Sequence, residues 1–367
     1  MPSPSRTRGT PIAHRAHSPE PSLLVVSVGC PAGIGPEVSV RAAANLPKIP
    51  CVLVGDAEVI ARAAELSGVS SKKLVPFDGS APSAGRIAVL QAGPRLSRRD
   101  LNPSRPSPRA GEAQLAYIER AYELVAKRPE RALVTGPVSK AAIAHSGLAR
   151  ARGFLGHTEW LRDLDGKRAS VMCFHSEKLV SALVTTHLPI SAVPQAIRSA
   201  DVATASVELA RLLLRLGTHR PEIAICSLNP HAGESELLGK EERRAILPGI
   251  EAAQRKLGKT ALLVGPVGAE TAFRKAHAGG YDGVIAMYHD QATIPMKLVA
   301  FGDAVNVTLG LSIVRTSVDH GTAYDIAWKG QANASGMEAA MKLAARLVET
   351  QPPATRQPKR LKKSGRA

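Results

Sequence analysis

Leu23-Leu-Val-Val-Ser-Val28 runs straight into Gly29-Cys-Pro-Ala-Gly-Ile-Gly-Pro-Glu37. A short apolar, β-branched run that halts at a glycine turn and then allows a helix reads as strand, tight turn and helix. The same unit recurs along the chain. Strands are expected at 23–28, 51–54, 132–135, 170–174, 179–184, 222–226, 261–264, 283–287 and 304–308. Helices are expected at 57–66, 111–126, 202–216, 241–256 and 335–349. This alternation predicts βαβ units, a mainly parallel sheet and an α/β fold. Asn102-Pro-Ser-Arg-Pro-Ser-Pro108 reads as an exposed loop ahead of a helix, and no internal repeat is visible.

Composition agrees. The 367 residues are 44% hydrophobic but only 3% aromatic. An interior of Ala, Val, Leu and Ile suits helices on a parallel sheet. The scarcity of aromatic stacking platforms argues against single-strand nucleic-acid binding. Of the net charge of +17, residues 1–21 carry +2 and residues 351–367 carry +6, leaving +9 for the body. Both tails are rich in Pro, Ser and Arg without apolar periodicity and read as disordered. A moderately basic body suits phosphorylated ligands, and nucleic acid is not the expected partner.

Cys30, Cys51, Cys173 and Cys226 are far apart, with no C-x-x-C pair. They read as small buried residues of a reducing, cytoplasmic protein rather than a disulfide framework. There is no apolar run of membrane-spanning length and no apolar N-terminal stretch of a secretory signal.

In open α/β sheets ligands gather beyond the carboxyl ends of strands. Three histidines stand in equivalent places there: His187 three residues past Val184, His231 five past Cys226, and His289 two past Met287. A lone histidine after a strand is ordinarily a hydrogen-bonded loop residue. Three at the same topological position suggest a catalytic divalent-metal site, with zinc the first candidate. Spacing does not say whether all three serve one site or one subunit. Gly29-x-x-x-Gly33-x-Gly35 is not the dinucleotide fingerprint, and both a tight turn and a ligand contact remain open for it.

Asp319-His-Gly-Thr-Ala-Tyr-Asp-Ile-Ala-Trp-Lys-Gly-Gln-Ala-Asn333 resembles the adenine-binding loop of the isocitrate and isopropylmalate dehydrogenases. That resemblance implies NAD or NADP binding, with His320, Gly321 and Asn333 at the adenine. Those enzymes hold their metal with aspartates, whereas the histidine set here points to another branch.

The ordered motifs Pro-Ala-Gly-Ile-Gly-Pro-Glu37, Thr135-Gly-Pro-Val-Ser-Lys140, Gly156-His-Thr-Glu159, Thr185-Thr-His-Leu-Pro189, Leu228-Asn-Pro-His-Ala-Gly-Glu234, Tyr288-His-Asp-Gln291 and Asn306-Val-Thr-Leu-Gly-Leu311, leading to Arg315-Thr-Ser-Val-Asp-His-Gly321, resemble the 4-hydroxythreonine-4-phosphate dehydrogenase family from about residue 23 to about 347. The resemblance implies a two-lobed fold like that of isocitrate and isopropylmalate dehydrogenase, with helices on both faces of the sheet and an active cleft between the lobes. Residues 22–135 plus 306–350 would form the cofactor lobe, residues 136–305 the metal, substrate and dimer lobe, and 1–21 and 351–367 the tails. It further implies that His187, His231 and His289 bind zinc, magnesium or cobalt, one of them across a homodimer interface. His157, Thr158, Lys297, Asn306 and Arg315 would bind a small phosphorylated amino acid. Asp290 and Lys297 are the candidate proton acceptors.

Two positions depart from the family pattern: Cys30 where an acidic residue is usual, and Gly265-Pro-Val-Gly-Ala-Glu270 where Gly-Pro-Leu-Pro-Ala-Asp is usual. The expected reaction is oxidation of 4-phosphooxy-threonine. A phosphorylated threonate or erythronate is the nearest rival substrate, and a zinc hydrolase using the same histidines is a more distant alternative.

Overall fold

The computed structural model describes residues 22–104 and 106–350. The tails at 1–21 and 351–367, expected to be disordered, lie outside the described residues. The chain begins with β1 (Leu23–Ser27), α1 (Gly35–Asn45), β2 (Cys51–Gly55), α2 (Ala57–Leu66), β3 (Leu74–Pro76), β4 (Ile87–Gln91), α3 (Pro108–Val125) and β5 (Arg131–Thr135). There follow α4 (Lys140–Ala144), α5 (His157–Leu164), β6 (Val171–His175), β7 (Val180–Leu183), α6 (Val193–Ala196) and α7 (Ser199–Arg215). Next come β8 (Glu222–Cys226), α8 (Leu247–Leu257), β9 (Leu262–Val267), α9 (Ala269–His277), β10 (Gly283–Ala286) and α10 (His289–Ala300). The chain closes with β11 (Val305–Leu309), β12 (Val314–Val318) and α11 (Ser335–Glu349).

Local chemistry sets the boundaries. Asp56 caps α2 by accepting from the Glu58 and Val59 amides, and Ser107 caps α3 with Pro108 in the first turn. Strands β1, β2 and β5 are buried along their whole length, as both-face coverage by helices requires. All four cysteines are buried and unpaired.

The strands form one sheet in the order β3-β4-β2-β1-β5-β12-β11-β6-β7-β10-β8-β9. Pairing is parallel from β3 to β12 and again from β7 to β9. Between these blocks stand three antiparallel pairs, β12–β11, β11–β6 and β6–β7. Three reversals turn the second parallel block against the first, so their carboxyl ends lie at opposite edges of the sheet. All nine expected strands are present to within a few residues, and β3, β4 and β12 are additional.

His175, at the end of β6, has no charged partner among the described residues to offset its burial. Burial, reinforced by the Arg346 guanidinium, pushes its imidazole down to about 4. It therefore stays neutral in the fold at a pH where the unfolded chain takes up a proton. The stability it contributes is lost as pH falls through the unfolded value near 6.5 toward 4. Between pH 7 and pH 4.5 that loss is expected to be about 2–3 kcal/mol. Denaturant unfolding at the two pH values checks it: His175→Gln should shrink the difference by that amount, and an unchanged difference sinks the assignment.

Candidate active site

The antiparallel middle of the sheet carries the site. Asn306 on β11 stands opposite Phe174 on β6 and Ser317 on β12, and Ser317 stands beside Thr135 on β5. Alternation then puts Met172, Phe174, Asn306, Thr308, Arg315, Ser317 and Thr135 on one face. Thr316, between Arg315 and Ser317, points the other way, its hydroxyl donating to the Ala340 carbonyl of α11 at 2.9 Å. Over the polar face lies a cavity of about 230 Å³. Its rim comes from Thr135–Lys140 and Gly156–Glu159, from Asp319 and His320 after β12, and from His187 and His289 in the second block. The cavity thus draws residues from both carboxyl edges, because it sits where the strand direction reverses.

Arg315 is 3% exposed. Its guanidinium donates to the hydroxyls of Thr308 at 2.8 Å and Thr135 at 2.7 Å, while Nε has no partner. No carboxylate pairs with it among the described residues. Burial pulls its pKa down to about 10, with the Glu159 carboxylate opposing. His157 Nε2 and Asn306 Oδ1 are likewise buried without partners. Burial, then the Arg315 and Lys140 charges, hold His157 well below the ordinary imidazole range, so the ring is neutral. Phe154 meets it edge-on, with centroids 6.4 Å apart. Three unpartnered polar atoms on residues that line one cavity form a set of donors and acceptors left for a ligand.

The His187 and His289 rings lie 5.4 Å apart at the mouth. Burial, then Lys140 and His289, lower the His187 pKa, with Glu159 opposing. His289 Nδ1 is 2.7 Å from Asp290 Oδ1. Such a carboxylate behind a histidine fixes ring orientation in metal sites. His187 itself has φ +43°, a strained value for a non-glycine residue.

The other expected residues are placed as follows. Thr158 lines the cavity. His231 is exposed, in a left-handed stretch at φ +50°, and is not brought to His187 and His289. Among the described residues no three His, Cys, Asp or Glu side chains converge as a metal cluster. Lys297 is exposed on α10 outside the cavity lining, though its charge reaches Asp319, whose pKa burial raises. Lys140 and Glu159 line the cavity without having been singled out. The signal was their position at the ends of two quoted motifs.

The glycine-rich turn is occupied by the chain itself. A Cβ at Gly33 would meet the Thr322 carbonyl at 2.7 Å, and one at Gly35 the Val28 carbonyl at 2.2 Å. Glu37, fully buried, accepts from the amides of Trp328 at 2.5 Å and Gly330 at 3.1 Å. Arg41 donates to the carbonyls of Ala332 and Gly330. The turn and α1 therefore shape the 319–333 loop. Gly321 faces open space, with nothing within 4 Å of a Cβ position. The exposed His320 ring stands beside it, and Asn333 Oδ1 accepts from the Ser335 amide at 2.9 Å. Cys30 sits behind this loop, its Sγ 3.5 Å from the Tyr324 hydroxyl. Glu270 is exposed on α9. Neither departure lines the cavity.

Known proteins resemble this chain in sequence and fold. A model of the family described as pyridoxal phosphate biosynthetic protein PdxA matches residues 48–344. The chain belongs to that family. A PdxA-family relative, 4-hydroxythreonine-4-phosphate dehydrogenase of Desulfosudis oleivorans, is 39% identical over 89% of this chain and 96% of its own. D-threonate 4-phosphate dehydrogenase of Salmonella typhimurium is 35% identical over 90% of this chain and 100% of its own. The crystal structure of 4-hydroxythreonine-4-phosphate dehydrogenase from Klebsiella pneumoniae superposes with a TM-score of 0.76 at 36% identity, covering 89% and 99% of the two chains.

Proposed function

We propose that this chain oxidises 4-phosphooxy-L-threonine with NAD or NADP and a divalent metal, in the route to pyridoxine 5'-phosphate. Carbon 3 gives up a hydride and its hydroxyl a proton. The resulting β-keto acid then loses carbon dioxide to leave 3-amino-2-oxopropyl phosphate. The observation that carries this reading is Arg315, a buried guanidinium held only by two threonine hydroxyls. Burying a charge unpaired is costly, and an anionic substrate offsets that cost.

On this reading Arg315, Asn306, His157, Thr158 and Lys140 bind the phosphate and carboxylate, with Lys297 adding positive charge from α10, outside the lining. Glu159 and Asp319 among these cations suit a substrate that also carries an ammonium group. Neutral His157 serves as an uncharged hydrogen-bonding partner. His187, His289 and His231 would hold the metal, zinc first and magnesium or cobalt otherwise. His320, Gly321 and Asn333 would meet the adenine. When bound, the metal supplies positive charge at the substrate's oxygen and the nicotinamide supplies the hydride acceptor. Asp290 orients His289, and Asp290 and Lys297 remain the candidate proton acceptors of this reading.

A homodimer completes the reading. Exposed apolar side chains flank the histidine loops: Leu188 and Ile190 after His187, Leu237 and Leu238 after His231, and Ile294, Leu298 and Phe301 along α10. Leu298 and Phe301 are each 83% exposed. A stripe at i, i+4 and i+7 beside the site marks a surface for a second copy. His231 would then join His187 and His289 from the other subunit. The strands of 22–135 and β11–β12 fill one half of the sheet and β6–β10 the other. We read these halves as the two lobes. Four buried, unpaired cysteines suit a reducing cytoplasm, and no helix among the described residues is long and apolar enough to cross a membrane.

The test is NAD(P)H formation from 4-phosphooxy-L-threonine, with and without EDTA and then with added Zn²⁺, Co²⁺ or Mg²⁺. Metal-dependent reduction is expected. Faster turnover of a phosphorylated threonate, in kcat/KM, would move the substrate to the second reading that the D-threonate relative favours. Turnover without a dinucleotide would overturn the reaction class.

A further inference from the structure

His231 sits in a strained loop. His231, Ala232, Glu234, Ser235 and Glu236 all have φ between +44° and +75°. Such a run of left-handed non-glycine residues persists only where neighbouring structure imposes it. The neighbour is Glu242. Its carboxylate is 5% exposed and has no cationic partner among the described residues. Oε1 accepts from the amides of Leu228 at 2.9 Å and Asn229 at 2.8 Å, and Oε2 from Asn229 Nδ2 at 2.9 Å. Oε2 also lies 3.0 Å from the place a Cβ would take at Gly233, two residues beyond His231. The Asn229 amide is gripped from a second side by Glu241 Oε2 at 2.8 Å, against Gly239, where a Cβ would lie 2.3 Å from Asn229 Nδ2. Glu242 is the first residue of a π-turn, Glu242–Ile246, leading into α8. Such turns are uncommon and recur at functional sites.

We propose that Glu242 is a positioning residue for metal binding: its buried carboxylate fixes the 228–233 loop so that His231 is presented in one geometry. The inference rests on the reading of His231 as a metal ligand. Glu242 touches neither metal nor substrate, and it acts through the backbone of Leu228 and Asn229 and the packing at Gly233. Partners behind metal ligands typically set affinity by 10- to 100-fold.

The experiment measures Zn²⁺ and Co²⁺ affinity of the intact protein by chelator competition, together with the visible spectrum of the Co²⁺ form. Glu242→Ala is expected to weaken binding about 10- to 100-fold and to change the spectrum. Glu242→Gln keeps one acceptor oxygen for the two backbone amides and is expected to recover most of the affinity. Adding Glu242→Ala to His231→Ala should cost nothing beyond His231→Ala alone, because both act on one ligand. Should Glu242→Ala not fold, Asn229→Ala removes the gripped amide and carries the same expectation. Unchanged affinity, equal loss in the Ala and Gln variants, or additive losses in the double variant each overturn the proposal. Full metal affinity in His231→Ala alone instead removes the reading of His231 on which it rests.

Discussion

An Arg315→Met chain should lose kcat/KM by about 10²- to 10⁴-fold on 4-phosphooxy-L-threonine while unfolding no more easily than the unsubstituted chain. The loss follows from removing a buried charged hydrogen-bond partner, worth roughly 3–5 kcal/mol to the group it meets. The retained stability follows from the same burial. Among the described residues Arg315 is enclosed with no carboxylate to pair it, its pKa is pulled down, and its Nε is unpartnered. Replacing an uncompensated buried charge by an apolar side chain of similar length is often neutral or stabilising. Steady-state kinetics and denaturant unfolding on one preparation check both halves. A variant that keeps its kcat/KM sinks the anion role. One that loses both kcat/KM and stability makes Arg315 a structural residue instead.

His289→Ala should lower kcat at least about 10³-fold, since a metal ion's charge at the reacting oxygen is worth several kcal/mol. Binding of inorganic phosphate, followed by calorimetry, should change little because Arg315, Asn306 and His157 are untouched. His231→Ala alone should be as inactive. The proposed sharing of the site between two subunits makes a sharper forecast for a mixture of the two variants after subunit exchange. In a mixed dimer one site receives His187 and His289 from one chain and His231 from the other, all intact, while the second site lacks both. With half the dimers mixed and half their sites whole, activity should return to about one quarter of the unsubstituted level. No recovery would put all three histidines in one subunit, or His231 outside the site.

The α/β architecture was legible because strands such as β2 and β5 are nearly pure apolar runs, buried on both sides. β12 was missed for the opposite reason. Val314-Arg-Thr-Ser-Val318 is fully buried yet polar at its centre, because Arg315 and Ser317 form the floor of the cavity. Its polarity reads as a loop. β3 is only three residues long, and β4 is a short run next to Ala92-Gly-Pro94. α10 went unnoticed because exposed Ile294, Leu298 and Phe301 blur its amphipathic pattern around Pro295. The three reversals of strand direction leave no mark in local periodicity. Equivalent loop positions bring His187 and His289 together, but nothing local shows that His231 lies apart from them, in a run of left-handed residues. Nor did the glycines of 29–35 reveal whether they make room for a ligand or for Thr322.

Glu37 grips the loop at Trp328 and Gly330 across some 291 to 293 residues of chain, and β12 closes against β5 only after residue 314. On a ribosome adding about 5–20 residues per second, the wait between α1 and its partner loop is roughly 15–60 s. For about 9–36 s of that time, the 180 residues that separate Thr135 from Arg315 at the same rate, β5 keeps one edge of an apolar strand bare, the kind of edge that recruits other chains. The parts that meet at the 319–333 loop are therefore made first and last, and a nascent or C-terminally clipped chain is an aggregation hazard before it is an enzyme.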